Sequence, residues 1–186
     1  MRFDEFLECN AISFSVVNEL DGYLVEVAVP TEWVAVQSSL VPSAWVWRDD
    51  PCKELFCANA VLTMARAESL IDPDEVFTML CEWQVQMMPG VHEMRREPAV
   101  EHSGPGIMGT LDLIINTDIG ILQCVEMARV IAADSHTLIA QLTFTSLLES
   151  PVHRSQIGFG VFPSSWASPT QPSFPGAPAP GPTEVH

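Results

Sequence analysis

Three long runs in the second half of the chain, Ile107–Ile115, Ile121–Ile131 and Thr137–Ser146, carry apolar residues at a period of two. That period puts successive side chains on opposite faces and predicts three β-strands. The segments between them, Asn116–Gly120 and Ala132–His136, are about five residues long. They are too short for a parallel crossover, so the strands must form an antiparallel meander. The first half alternates as well. Ile12–Val17 and Tyr23–Val29 flank Asp21-Gly22, a hairpin-type turn signal. Tyr23, Val25, Val27 and Val29 fall on one face of the second run, and Pro30 ends it because proline cannot donate to a ladder. Ala44–Arg48 predicts a short strand with Trp45 and Trp47 on the same side. Asp49-Asp50-Pro51 predicts a turn, and Cys57–Ala65 a strand with Asn59 near its start. Val91–Glu97, charged and followed by Pro98, predicts an edge strand.

One segment switches to helical spacing. Asp72 suits an N-cap, Pro73 the first helical position, and Glu75 stands three after the cap. Val76, Leu80, Trp83 and Met87 then recur on one face, with Phe77 beside them, until Pro89-Gly90 stops the helix. Ser150-Pro151 predicts the opening of a second helix through about Phe162, against which Gly158 and Gly160 argue. From Ser164 the composition changes. Residues 164–186 hold six prolines, no Lys or Arg, and one acid, Glu184. Such a segment buries too little apolar surface to offset its ordering entropy, so it predicts a disordered tail after a domain over 1–163.

Composition narrows the picture. The 186 residues are 47% hydrophobic, enough for one self-sufficient domain. The formal charge is −16. A surface this negative repels phosphates, which excludes nucleic acid and anionic lipid headgroups as expected partners and favours a basic protein. The start, Met1 to Phe6, carries acids where a signal peptide needs a basic end. No run of about 18 apolar residues predicts a membrane helix. The expectation is a cytoplasmic protein. The odd set Cys9, Cys52, Cys57, Cys81 and Cys124 suits a reducing compartment.

The order of elements carries a resemblance. It rests on Val27-Ala28-Val29-Pro30-Thr31-Glu32-Trp33, Asn59-Ala60-Val61-Leu62-Thr63, Ile71-Asp72-Pro73-Asp74-Glu75 and Met88-Pro89-Gly90-Val91. In these the chain resembles the LpqN/LpqT family of actinobacterial proteins over about residues 12–162. The resemblance implies a Mog/PsbP-like fold, a curved antiparallel sheet packed by helices. It implies no established reaction; relatives of that fold act mostly by binding other proteins. The family's export signal and lipidated cysteine have no counterpart in this sequence, and the proline-rich tail is an addition.

Candidate chemistry is sparse. Gly104 to Gly109 spells G-x-G-x-x-G, but a loop precedes it and a strand follows, so no helix N-terminus opens toward a phosphate. His92, His102, His136, His153 and His186 show no ligand spacing, though His92 and His102 lie near Glu93, Glu97 and Glu101. There is no G-x-S-x-G. Ser150 and His153 with an acid suggest a triad only if Ser150 is not a helix cap. Asp49 and Asp50 are read as solvated in their turn, and Cys81 as an inert thiol far from the helix dipole. Pro169, Pro172, Pro175 and Pro178, spaced by three, would share one face of a polyproline II helix without the usual basic flank.

Tryptophan carries the functional expectation. Trp33, Trp45, Trp47 and Trp83 either cement the core or face a partner. Trp33, Trp45 and Trp47 are the candidate partner- or ligand-binding residues. The expected molecule is an α+β domain with a curved antiparallel sheet of about six or seven strands and one or two helices. The expected role is a non-catalytic protein-interaction module with no cofactor and no metal. The alternatives are a carrier of a small apolar ligand between sheet and helix and, behind it, a hydrolase or metalloenzyme assembled from residues distant in sequence.

Overall fold

The computed structural model describes residues 3–36, 43–97 and 104–166. The first half runs α1 (Phe3–Cys9), β1 (Phe14–Val16), β2 (Tyr23–Ala28), β3 (Trp33–Val36), β4 (Ser43–Trp47) and β5 (Asn59–Ala67). Then come α2 (Pro73–Met87), β6 (Val91–Glu97), β7 (Ile107–Thr117), β8 (Gly120–Ala133), β9 (His136–Leu147) and β10 (Gly158–Pro163). Eight strands form one sheet in the order β3-β4-β5-β9-β8-β7-β6, with β1 paired to β5 off that path. The outer side of β5 is thus tiled by two short strands, β4 against Asn59–Leu62 and β1 against Ala65–Ala67. β2 and β10 make a separate two-stranded sheet.

Every ladder is antiparallel. The meander β7-β8-β9 is the trunk, and β6 closes one edge. Alternation along these strands builds two cores, one on each face. On β8, Cys124, Ala128 and Val130 join the helix-side core with Leu111, Leu113, Val76, Phe77 and Leu80. Val125, Met127 and Ile131 join the other core with Phe144, Leu142, Leu138 and Trp33. Tyr23, Val25, Val27 and Phe159 of the small sheet pack onto that second core. The molecule is therefore layered: helices, large sheet, small sheet.

Local chemistry places α2 where the sequence predicts it. Asp72 Oδ1 accepts from the backbone N–H of Asp74 at 3.0 Å and of Glu75 at 3.1 Å, and Pro73 sits at the start. The segment leading into α2 is pinned by buried Thr137. Its hydroxyl donates to Ser69 O at 2.8 Å and accepts from Ile71 N–H at 2.9 Å.

Several expectations change. The hairpin of Ile12–Val17 with Tyr23–Val29 does not form: β1 pairs with β5, and β2 pairs with β10. Asp21-Gly22 still turns the chain, with Gly22 at φ +80° and one bridge between Leu20 and Tyr23. The second helix from Ser150 is replaced by a 3-10 turn at Arg154–Gln156 and by β10. Gly158 lets that strand lie closely on Ala28 of β2, Gly160 leaves room for the Phe162 ring, and Val161 pairs with Val25 and is fully buried. Periodicity gives no sign of α1, because its seven residues bury only Phe3 and Leu7. The α+β fold with its large antiparallel sheet stands as expected: seven strands follow one another along its path, with β1 beside them. Met87, placed on the buried face of α2 by spacing, is 63% exposed at the fraying end. The expected tail begins with a 3-10 turn at Ser164–Trp166, where Ser164 N–H donates to Gly22 O at 2.9 Å. Residues 167–186, with the proline series, lie outside the described residues, as does His102.

Candidate functional site

The three candidate tryptophans come together. Trp33 of β3 stands directly opposite Trp47 of β4, and Trp45 lies two residues along on the same side. That side is the small-sheet face. The three differ in burial, and burial separates their roles. Trp33 is 7% exposed and packs against Phe144 with ring centroids 6.3 Å apart, so it is core. Trp45 and Trp47 are half-buried at the margin of the same core. Trp83 is half-buried on α2, away from them.

Trp45 also borders open space. A cleft of about 410 Å³ is lined by Val25, Glu26, Val27 and Ala28 of β2 and by Ser43, Trp45 and Leu62. Ser43 and Leu62 are cross-strand partners on β4 and β5, so these three side chains make a continuous floor. β2 forms the wall. The lining is polar at Glu26 and Ser43 and apolar at Trp45, Leu62 and the valines. A second cleft, of about 430 Å³, lies between Met94, Arg95, Asp112, Ile114 and Gln123 on the β6 side, and it contains no aromatic anchor.

The residues singled out for chemistry are otherwise employed. Asp50, expected in solvent, is fully buried. It accepts from Cys52 N–H and Ala58 N–H at 2.9 Å each, and from the Ser150 hydroxyl at 3.2 Å. Ser150 is therefore neither a helix cap nor a partner of His153, which is exposed. Together the pair ties the β4–β5 connection to the segment after β9. In the glycine motif, Gly106 takes φ +69°, and a Cβ there would run into Val130 O. A Cβ on Gly109 would overlap the Phe77 ring. The glycines serve backbone approach, and β7 follows instead of a helix. Burial pushes the Cys81 thiol up to about 12 and Cys124 up to about 11, so both stay protonated near neutrality. All five cysteines are free. Among the described residues, no three His, Cys, Asp or Glu side chains gather into a metal-binding group.

Two buried charges escaped the sequence reading. β8 carries Glu126, 2% exposed, and Arg129, 3% exposed, on opposite faces. Glu126 accepts from Gln141 Nε2 at 2.8 Å, and burial pushes its carboxyl up to about 7. Arg129 donates to Pro105 O at 3.3 Å and to Met108 Sδ. Only an apolar setting on both sides of a central strand, which follows from topology, marks these two as buried.

Neither a protein-family model nor a curated protein matches the chain. A solved structure does: LpqN, involved in cell envelope biogenesis of Mycobacterium tuberculosis, superposes with a TM-score of 0.66 at 18% identity. The match covers 80% of this chain and 87% of that one. The fold is LpqN-like. The likeness expected from the Val-Pro-x-x-Trp, Asn-strand and capped-helix segments therefore holds at the level of fold. Among the described residues, no helix is long and apolar enough to cross a membrane.

Proposed function

We propose that this chain is a non-catalytic binding module whose partner site is the Trp45 cleft. One observation carries the reading: a half-buried tryptophan lies on the floor of an open cleft with a polar rim. Aromatic anchors of this kind dominate interface energetics because they bury much area at small entropic cost. Trp33 and Trp47 lie beside Trp45 on the same side of the sheet, and Glu26 sets the sign of charge at the cleft. LpqN's part in cell envelope biogenesis is compatible with an accessory role. The net charge of −16 favours a basic protein as partner, by raising the encounter rate. Five free cysteines favour a reducing compartment, so a cytoplasmic setting belongs to the same proposal. The apolar-carrier alternative has less support, because Glu26 and Ser43 border the cleft and one side stands open to solvent.

Affinity capture from native lysate tests the reading. The full chain should recover a discrete partner, and Trp45→Ala and Glu26→Lys should each lose it while thermal unfolding stays cooperative. Removing residues 167–186 should leave capture intact. Retention of the same partner by both cleft variants removes the reading.

A further inference from the structure

One wall of the Trp45 cleft is made of backbone. β2 has six residues and, among the described residues, pairs with β10 alone. Four consecutive residues of it, Val25 to Ala28, border the cleft. Successive side chains leave a strand on opposite faces. An unbroken run of neighbours facing one space therefore presents the edge of the strand rather than either face. That edge offers the N–H and C=O groups of alternate residues that β10 does not take. The floor beside it is side chain: Ser43, Trp45 and Leu62. Glu26 adds a half-buried carboxyl group at the rim.

We propose that the cleft binds an extended, basic segment of a partner protein, which adds to β2 as a third strand of the small sheet. This rests on the reading of the cleft as the partner site. The partner's main chain completes the open ladder, which gives affinity without regard to sequence. Its alternate side chains press on Trp45 and Leu62, and a Lys or Arg meets Glu26, which gives selectivity. A second copy of this chain is disfavoured as occupant, since two surfaces of the same high charge repel. The chain's own residues 167–186 are disfavoured too, because their six prolines lack the N–H groups a ladder needs.

Random peptides displayed on phage and selected against the full chain test this. Recovered peptides should alternate apolar residues and carry Lys or Arg, and selection against Glu26→Lys should abolish the basic bias. A synthetic copy should shift the backbone amide resonances of Val25–Ala28 and the indole resonance of Trp45. N-methylation of its alternate amides, in one of the two phases, should weaken binding about ten-fold or more, the loss of one or two ladder hydrogen bonds. Strand addition is overturned if no peptide is recovered, if N-methylation in both phases leaves affinity unchanged, or if light scattering shows the chain dimerising through this edge. Where N-methylation has no effect but Trp45→Ala still loses the captured partner, strand addition fails and the cleft reading survives. Where Trp45→Ala changes neither peptide nor partner binding, both fall.

Discussion

Glu126 shows how a single residue takes its character from topology. In the sequence it interrupts an apolar run; in the fold it is buried under α2 with Gln141 as its hydrogen-bonding partner. Burial raises its carboxyl from 4.5 to about 7, and the Gln141 bond lowers it by less. The folded chain thus holds this proton more tightly than the unfolded chain does. The stabilisation is fully present below pH 4.5 and is lost as the pH rises through about 7. Unfolding free energy is expected to fall across that window by at most about 3 kcal/mol on this account. Glu126→Gln should flatten that part of the denaturant-melt profile. Asp50 teaches the reverse lesson. Its turn was legible in Asp49-Asp50-Pro51, but its burial depends on Ser150, a hundred residues away, which no local pattern reveals. Asp50→Ala leaves the N–H groups of Cys52 and Ala58 without their acceptor and is expected to cost about 3 kcal/mol by chemical denaturation. Ser150→Ala should cost about 1 kcal/mol, since it removes one hydroxyl from a group that keeps two other donors.

Elements were legible in proportion to how far their own residues decide them. α2 declares itself through Asp72, Pro73 and the spacing of Val76 and Leu80, and it stands where the pattern puts it. Asp72→Ala should lower stability by about 1 kcal/mol, visible as a shift in thermal midpoint with unchanged helix content before the transition. The meander declares itself too, because each strand is long and its neighbour in sequence is its neighbour in space. β2 and β10 do not. Asp21-Gly22 suggested a local hairpin, yet β2 finds its partner at the far end of the chain. The alternation of Phe159 and Val161 between glycines was the available sign of β10, overshadowed by the helix-start signal at Ser150-Pro151. Where α2 meets β7, the contact depends on a missing side chain. Gly109→Ala must displace the Phe77 ring and is expected to destabilise by about 1–3 kcal/mol. Phe77→Leu in the same chain should recover part of that loss.

At the scale of the whole molecule, charge and layering decide behaviour. With a net charge of −16, the folded chain repels itself more than the expanded one does. Raising ionic strength from ~0.01 M to ~0.15 M shortens the screening length from about 30 Å to about 8 Å. The thermal midpoint should therefore rise over that range, and calorimetry reads it directly; a midpoint that falls refutes the argument. The same change should slow association with a basic partner. The candidate site was legible only in its ingredients. Trp33, Trp45 and Trp47 were identifiable, and the shared side of Trp45 and Trp47 follows from strand periodicity, but Trp33 joins them only through the pairing of β3 with β4. The cleft was not, because one of its walls is β2, which is placed there by β10 from the far end of the chain. The two-sided trunk sets a rule of parity. Residues of β8 answer alternately to the two cores, so inserting or deleting one residue near the start of Gly120–Ala133 would send Cys124 and Glu126 toward the small sheet and Val125 and Met127 toward the helices. Length in that strand can change only by even steps, and natural variants of this fold should therefore accumulate their odd-numbered insertions at the turns, leaving the trunk's count untouched.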